Sequence, residues 1–455
     1  MNIIIVGAGK VGRALALQLV SEEHDIVIID NNTRKLQSEA DKIDVQVLKG
    51  NGATAQVLYD AGIENCDIFI SAASTDEINI LCCLMARNLG AKHTIARIRN
   101  PEYVDQISYM REELGLSMLI NPEKIAADEI SRILRAPSAL KIDVFSRGRV
   151  EIMNYLVEEN SVFDGVRIAD ISQKLKSKIL VCVIEREDEI VIPNGNDVMH
   201  ANDKISIIIP MEEHTSFFKN DEFDAPATKN ILIVGGGKIS IYLAKLLIEQ
   251  RIKVKIIEQD IDICEVLAET LPDAIIVHGD GTDHELLLEQ GVDRVNAVVA
   301  LTNVDEENII LGMFADAASE SRTKTIVKVN RTELAKLAKS IHKKGSTVSL
   351  GNLTTQSIIK YVRSVQNTMG SNVENLYHLA EDKVEALEFY VDEHISGILD
   401  IPLHQLKLKP NILIATIIRD KKIIIARGDS TIKANDNVIL ITTITGLTDL
   451  SDILQ

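Results

Sequence analysis

The chain has 455 residues, of which 46% are hydrophobic and 25% charged, room for roughly three to four domains of about 100–200 residues each. A formal charge of −18 argues against nucleic acid and against an anionic lipid surface as main partners, because both need a basic face. There is no run of about 18 apolar residues and Met1 leads directly into a strand-like stretch, so neither a transmembrane helix nor a signal peptide is expected and the protein is read as cytosolic.

Ile3 to Val6 form a continuous apolar run, as a strand buried on both faces of a parallel sheet requires. Gly7-Ala8-Gly9-Lys10-Val11-Gly12 then opens an apolar-periodic helix. In such a loop Gly7 permits the tight turn, Gly9 lets the backbone approach a pyrophosphate, and Gly12 lets helix and strand pack closely, with phosphate on the helix N-terminus. The next apolar run, DIVIID, ends in Asp30, where an acid accepts hydrogen bonds from ribose hydroxyls and repels a 2′-phosphate. Asn31 and Asn32 follow in place of an Arg, which favours NAD(H) or another adenine nucleotide over NADP(H).

The alternation continues: a helix near 33–42, a strand near 45–48, a helix near 54–61, a strand over 67–70, a helix over 76–89 and a strand over 94–98. The apolar segment 117–120 then precedes a long amphipathic helix to about Arg135. This is a doubly wound parallel sheet, and its ligand crevice lies beyond the C-terminal ends of the strands. Gly50, Asn51, Ala73, Ser74, Arg97 and Arg99 fall in that crevice. Arg97 and Arg99 share a strand face, so one of them could reach a phosphate; the alternative for Arg97 is a structural ion pair. Lys10 is either a phosphate contact or a solvated side chain.

The same text then returns. NIIIVGAGKVG at 2–12 reappears as NILIVGGGKIS at 230–240, with Gly235 standing 228 residues after Gly7. LKGNGATAQVLYDAGIENCD from Leu48 returns as VHGDGTDHELLLEQGVDRVN from Val277, and STDEINI from Ser74 as NVDEENI from Asn303. A second nucleotide site would use Gly235, Gly236, Gly237, Lys238 and Ile239, with Glu258 at the spacing of Asp30. Thr302 and Asn303 would replace Ala73 and Ser74, and Lys328 would replace Arg97. Ser240 stands for Gly12, small enough to keep the fold yet crowding the approach, so this copy is either a weaker site or a retained, empty fold.

Residues 141 to about 215 and 385 to about 447 are β-rich, with short strands such as ILVCVIERE and KISIIIP answered by ILIATIIRD and NVILITT. HANDKISII from His200 matches KANDNVILI from Lys433. Neither piece holds a His/Ser/Asp or Cys/His constellation, so no catalytic residue is assigned. Cys66, Cys82, Cys83, Cys182 and Cys264 form no CxxC pair, and they are read as reduced, buried thiols with no disulfide and no metal site.

The expected fold is α/β: duplicated Rossmann-like doubly wound domains, each followed by a small α+β subdomain. The boundaries are 1–122 and 229–350 for the nucleotide folds, 123–140 and 351–370 for crossover helices and linkers, and 141–225 and 371–455 for the subdomains.

On GAGKVG with Asp30, DEIN at Asp76 to Asn79, ARIRNPEY from Ala96, NPE from Asn121 and the repeated Gly-Asn/Asp-Gly elements, nearly the whole chain resembles the regulator of potassium conductance (RCK) family. The order N, C, N, C in one chain is similar to the tandem regulatory subunits of Trk-type potassium uptake systems. The resemblance implies NAD(H) in the first site, held by Gly7 to Val11, Asp30, residues 73 and 74 and Arg97, with ATP or ADP as alternatives in either site. It also implies a homo-oligomeric, tetrameric ring on the cytoplasmic face of the inner membrane, beneath a TrkH/TrkG-like potassium-translocating subunit. Ala73 and Ser74 depart from the family's usual Thr-Asn, so the Ala73 side-chain bond is lost, while Ser74 and the backbone amides are expected to serve. Two rival readings are a nucleotide sensor for another transporter and an NAD-dependent dehydrogenase; the latter needs a proton-transfer residue that the sequence does not assign.

Overall fold

The computed structural model describes the chain except residues 33–43, 101–102, 104–105, 108–110, 112, 136–138, 146–148, 188, 214–216, 218–227, 321, 342–344, 368–372, 381–382, 396, 421, 445 and 448. The helix expected near 33–42 lies outside the described residues.

The first sheet comprises β1 (Asn2–Val6), β2 (Asp25–Asp30), β3 (Gln46–Lys49), β4 (Ile68–Ser71), β5 (His93–Arg97) and β6 (Met118–Ile120), in the order β3-β2-β1-β4-β5-β6. All its pairs are parallel. Ile3, Ile4 and Ile5 are at most 2% exposed, because helices cover both faces of the sheet. The strand order reverses between β1 and β4, and this switch point fixes where a ligand crevice can open. The third sheet repeats the design with β12 (Asn230–Val234), β13 (Lys253–Glu258), β14 (Ile275–His278), β15 (Ala297–Ala300), β16 (Lys324–Lys328) and β17 (Ser346–Val348), in the order β14-β13-β12-β15-β16-β17.

The compact units do not follow the repeat in the sequence. One unit gathers both nucleotide-type cores, Met1–Ser131, Lys229–His342 and Thr347–Val362; the other gathers both β-rich pieces, Arg132–Thr228, Lys343–Ser346 and Arg363–Gln455. Within the first unit the copies meet through long-range polar bonds. Asn121 Nδ2 donates to the Tyr242 hydroxyl at 2.8 Å, Gln250 Nε2 donates to Ser131 Oγ at 3.2 Å, and His93 Nδ1 lies 3.0 Å from the Tyr361 hydroxyl.

The second unit is two five-stranded antiparallel sheets. β7 (Lys141–Phe145), β8 (Val150–Leu156), β9 (Leu180–Arg186), β10 (Glu189–Val191) and β11 (Lys204–Pro210) run in the order β10-β9-β11-β8-β7. β18 (Val373–Leu379), β19 (Val384–Tyr390), β20 (Ile412–Arg419), β21 (Lys422–Ile425) and β22 (Asn437–Thr442) repeat that connectivity as β18-β19-β22-β20-β21. Phe145, Ile152 and Ile208 of one sheet share an apolar cluster with Val384, Ala386 and Ile439 of the other.

The repeated Ala-Asn-Asp is explained by a duplicated turn. Asn202 and Asn435 take left-handed φ values of 72° and 65°, tolerable for Asn. The Asp that follows accepts a fork from an arginine: Arg186 reaches Asp203 at 2.8 and 2.7 Å, and Arg419 reaches Asp436 at 2.9 and 2.8 Å.

The first subdomain carries a helix, Ile168–Leu175, but its counterpart is reduced to a 3₁₀ turn, Leu403–Gln405. Its Leu406 and Leu408 alternate like a strand before Pro410, and Leu408 bridges Leu454. All five cysteines are free and buried, and burial pushes the Cys66 thiol up to about 12.

Candidate nucleotide-binding site

Gly7 sits at φ +105°, and a Cβ there would lie 2.7 Å from the Ala72 carbonyl oxygen, so only glycine fits the turn. A Cβ at Gly12 would lie 1.9 Å from the Gly7 carbonyl oxygen. Gly9 is different: a Cβ there would meet nothing within 4 Å, because that face of the loop opens into a pocket. It is the N-cap of helix Lys10–Ser21 and supplies no side-chain cap, which leaves the first helical N–H groups for an incoming anion. The two Gly-x-Gly elements are packing features. Cβ atoms at Gly52 and Gly281 would come within 2.6 and 2.2 Å of Val6 and Val234.

Asp30 ends β2 and braces the loop, with Oδ2 accepting from the Ala8 amide and Oδ1 from the Asn32 amide, both at 2.7 Å. Each oxygen retains a lone pair, and the carboxylate lines the pocket, so ribose hydroxyls remain acceptable partners.

The repeated Asp-x-x-Asn holds the opposite wall. Asn79 is fully buried on helix Asp76–Leu89. Its Oδ1 accepts from the Ser71 hydroxyl (2.9 Å) and the Ala73 amide (2.7 Å), while its Nδ2 donates to the Arg97 carbonyl (2.8 Å). Asp76 Oδ2 accepts from the amides of Arg99 and Asn100 at 2.9 and 2.8 Å. Two side chains thus clamp the loops after β4 and β5 in one geometry. The Ala73 amide, expected to be available to a ligand, is instead committed to Asn79.

The resulting pocket has a volume of about 650 Å³. Among the expected first-site residues only Ala8 and Gly12 do not line it, since the Ala8 amide turns to Asp30 and Gly12 packs beneath Gly7. Lys10 lines it as an exposed side chain. Arg97 Nη2 donates to the Ala73 carbonyl at 2.6 Å and Arg99 Nη2 to the Ser74 carbonyl at 3.0 Å. No carboxylate lies within ion-pair distance of Arg97 among the described residues, so the structural ion pair weighed from the sequence is not formed.

The polar inventory fits an anionic ligand. The Nε atoms of Arg97 and Arg99 and Glu123 Oε2 are buried with no hydrogen-bond partner among the described residues. Orphaned guanidinium nitrogens beside an open helix N-terminus are the donors a pyrophosphate uses. Burial, and next the charge of Arg99, pulls the Arg97 guanidinium below its ordinary pKa, so an incoming negative charge relieves both effects.

Sequence reasoning missed Glu123 and a wall contributed by the second copy, Asn330, Leu350 and Gly351. Glu123 falls outside every repeated motif, since the second copy has Gly351 at the matching place after its last strand. The wall depends on how two distant segments pack, which local pattern does not encode.

The second copy builds the same frame. Gly235 sits at φ +102°, and Gly237 has open space where a Cβ would be. Glu258 Oε2 accepts from the Gly236 amide at 2.6 Å, and Asn308 repeats the clamp with bonds to the Thr302 amide (2.8 Å) and the Lys328 carbonyl (2.9 Å). Lys238 opens helix Lys238–Glu249, while the Ile239 side chain is buried, leaving only its backbone for a ligand. The Thr302 hydroxyl closes a local turn onto the Val304 carbonyl at 3.2 Å, and exposed Asn303 follows it. Lys328 is buried with Nζ 3.4 Å from the Leu301 carbonyl, and burial lowers its pKa.

Two glycine-loop cores with an acid-braced turn, in a chain that also holds two antiparallel β-sheets, define a duplicated nucleotide-fold protein of the Rossmann class. The TrkA-N domain model matches residues 3–122 and 231–345, and the TrkA-C domain model matches residues 152–220. The chain belongs to the TrkA family. It is 33% identical over 442 residues to a Trk system potassium uptake protein TrkA homologue of Archaeoglobus fulgidus, across 97% of both chains. It is 30% identical over 450 residues to TrkA of Haemophilus influenzae, covering 97% of this chain and 95% of that one. A solved structure, the GsuK channel bound to NAD, is similar in fold at a TM-score of 0.63 and 18% identity, covering 97% of this chain and 76% of that chain.

Proposed function

We propose that this chain is a regulatory subunit that senses NAD(H), or an adenine nucleotide such as ATP or ADP, and sets the activity of a separate potassium-translocating membrane subunit. The observation that carries this is the first pocket, where open space at Gly9, the Asp30 carboxylate and the orphaned nitrogens of Arg97 and Arg99 surround a volume suited to a dinucleotide. The TrkA relatives, potassium uptake proteins, support potassium uptake as the process, and the GsuK structures bound to NAD and to ADP support the ligand class.

The ligand contributes binding energy and no chemistry. It can act only if its affinity differs between two arrangements of the assembled subunits, here proposed as a homotetrameric ring on the cytoplasmic face of the membrane. Ion selectivity would lie in a TrkH/TrkG-like partner. No helix among the described residues is long and apolar enough to cross a membrane. A dehydrogenase would need a proton-transfer group at the nicotinamide, and among the described residues no histidine lines the pocket.

The test is potassium flux through the membrane subunit that copurifies with this chain, measured in vesicles with and without NADH. A nucleotide-dependent change in flux is expected. Flux indifferent to the chain or to any nucleotide would sink the reading.

A further inference from the structure

The sequence holds two Asn-Gly dipeptides, and one of them, Asn51-Gly52, lines the first pocket. Asn51 is exposed, and its Oδ1 accepts from the Ala53 amide at 3.0 Å, while its carbonyl accepts from the Thr54 amide and hydroxyl at 3.0 and 2.8 Å. Neither Asn51 Nδ2 nor the Gly52 amide makes a hydrogen bond among the described residues. A nucleophile, an electrophile and a leaving group therefore stand side by side. Gly52 has no Cβ to shield its nitrogen, the Ala53 N–H polarises the Asn51 side-chain carbonyl, and Nδ2 is unrestrained. Packing favours the glycine, since a Cβ at 52 would lie 2.6 Å from Val6 Cγ1. The second copy builds the same turn around an acid: Asp280, followed by Gly281, accepts from the Thr282 amide through Oδ1 at 2.8 Å. The bonds from the Thr282 amide and hydroxyl hold the Asp280 carboxyl below the usual carboxylate range, so an acid in this turn is ionised at neutral pH.

We propose that Asn51 is a site of spontaneous deamidation, and that its conversion to an acid moves the preference of the first pocket from ATP towards NADH. The second half of the inference rests on the nucleotide reading of this pocket. The Gly52 nitrogen gives up its proton to hydroxide and attacks Asn51 Cγ; the new N–C bond closes a cyclic imide as the Cγ–Nδ2 bond breaks and ammonia leaves. Water then opens the imide to aspartate or isoaspartate, so the sum is asparagine plus water giving a carboxylate and ammonium. The pocket exchanges a neutral amide for a negative charge within a Debye length of the bound phosphates. ATP carries three phosphates and NADH two, so repulsion falls harder on ATP. Adenine and its ribose are common to both ligands, and whatever the new acid does to them cancels in the ratio of affinities.

The test ages the full chain in mildly alkaline buffer, with and without saturating NADH, and maps its peptides by mass. Asn194-Gly195 is an internal control: its Oδ1 accepts from the Asn196 amide at 2.9 Å in the same way, but it does not line the pocket. Asn51 should convert to aspartate and isoaspartate, while exposed Asn65, which precedes a cysteine, should keep its amide. NADH should slow the reaction at Asn51 and leave Asn194 unchanged. An Asn51 that keeps its amide as Asn65 does, or one that NADH does not protect, overturns the modification site. Asn51→Asp, which the turn at Asp280 shows the fold to accept, should lower the ratio of ATP to NADH affinity by about threefold or more. A ratio equal to that of the wild-type chain overturns the shift in preference. Failure of the folded wild-type chain to bind either nucleotide overturns the nucleotide reading itself, whereas the peptide masses in ligand-free buffer report on Asn51 regardless.

Discussion

The Ser240 hydroxyl donates a 2.5 Å hydrogen bond to the Gly235 carbonyl, in the space that the first copy leaves empty at Gly12. In the first copy a Cβ at Gly12 would stand 1.9 Å from the Gly7 carbonyl oxygen, so that turn is closed more tightly. Gly12→Ser should therefore destabilise the protein by about 1–3 kcal/mol through overpacking against backbone. Ser240→Gly should cost only about 0.5–1.5 kcal/mol, the worth of one hydrogen bond. Urea unfolding of both variants checks the asymmetry, and equal losses would contradict it.

NADH should bind the first site at least about tenfold more tightly than NADPH, because a 2′-phosphate would approach the Asp30 carboxylate and no arginine follows it. Calorimetric titration with both ligands reads this directly. Asp30→Ala should weaken NADH by about 1–3 kcal/mol and narrow the preference, since it removes the ribose acceptor and frees the Ala8 amide.

Asn79→Ala should lower stability by about 2–4 kcal/mol, because it leaves the buried Ser71 hydroxyl, the Ala73 amide and the Arg97 carbonyl without a partner. NADH affinity should fall with it, as the loops bearing Ala73 and Arg97 lose their clamp. Asn308→Ala should cost similar stability yet leave first-site affinity near wild type. Thermal melts with and without NADH separate the two effects.

Lys324 opens β16 at 8% exposure, and burial pulls its ammonium down to about 7, with Asp316 opposing. The unfolded lysine titrates near about 10.4, so between these values the unfolded chain binds the extra proton. Stability contributed here is absent below about pH 7 and grows as pH rises above it. The difference in melting temperature between Lys324→Met and wild type should therefore be largest at pH 6.5 and shrink towards pH 8.5. A difference that does not change with pH would show that Lys324 stays protonated in the folded chain.

Gly9→Asp and Gly237→Asp are clean probes, because open space at both positions lets the side chain fit while its charge meets the phosphate. The first site has two arginines and the second a buried lysine, so the first should dominate regulation. Gly9→Asp should abolish the NADH response of potassium flux, and Gly237→Asp should only weaken it. The reverse outcome would invert the ranking.

The parallel cores were legible because each strand is a short apolar run followed by a helix with clear ends; helix Asp76–Leu89 coincides with the periodic stretch read from the sequence. The glycine loop was legible for the same reason that Gly7 is irreplaceable, its positive φ. Asn79 stood in a repeated motif, but nothing in the spacing says that its amide reaches back to β4 and across to β5. That reach consumes the Ala73 amide that local reasoning had left free. Glu123 stood in the quoted NPE segment, but that it and Gly351 line one pocket follows only when two segments more than two hundred residues apart fold into one unit.

The wall that Leu350 and Gly351 lend to the first pocket gives the fused chain a genetic freedom. Were the two halves separate, identical polypeptides, every substitution would strike both pockets at once, and neither could drift without the other. Joined end to end, one half can keep the recognition loop while the other evolves as its scaffold, so each codon in the second half becomes a tuning position for a ligand held mainly by the first.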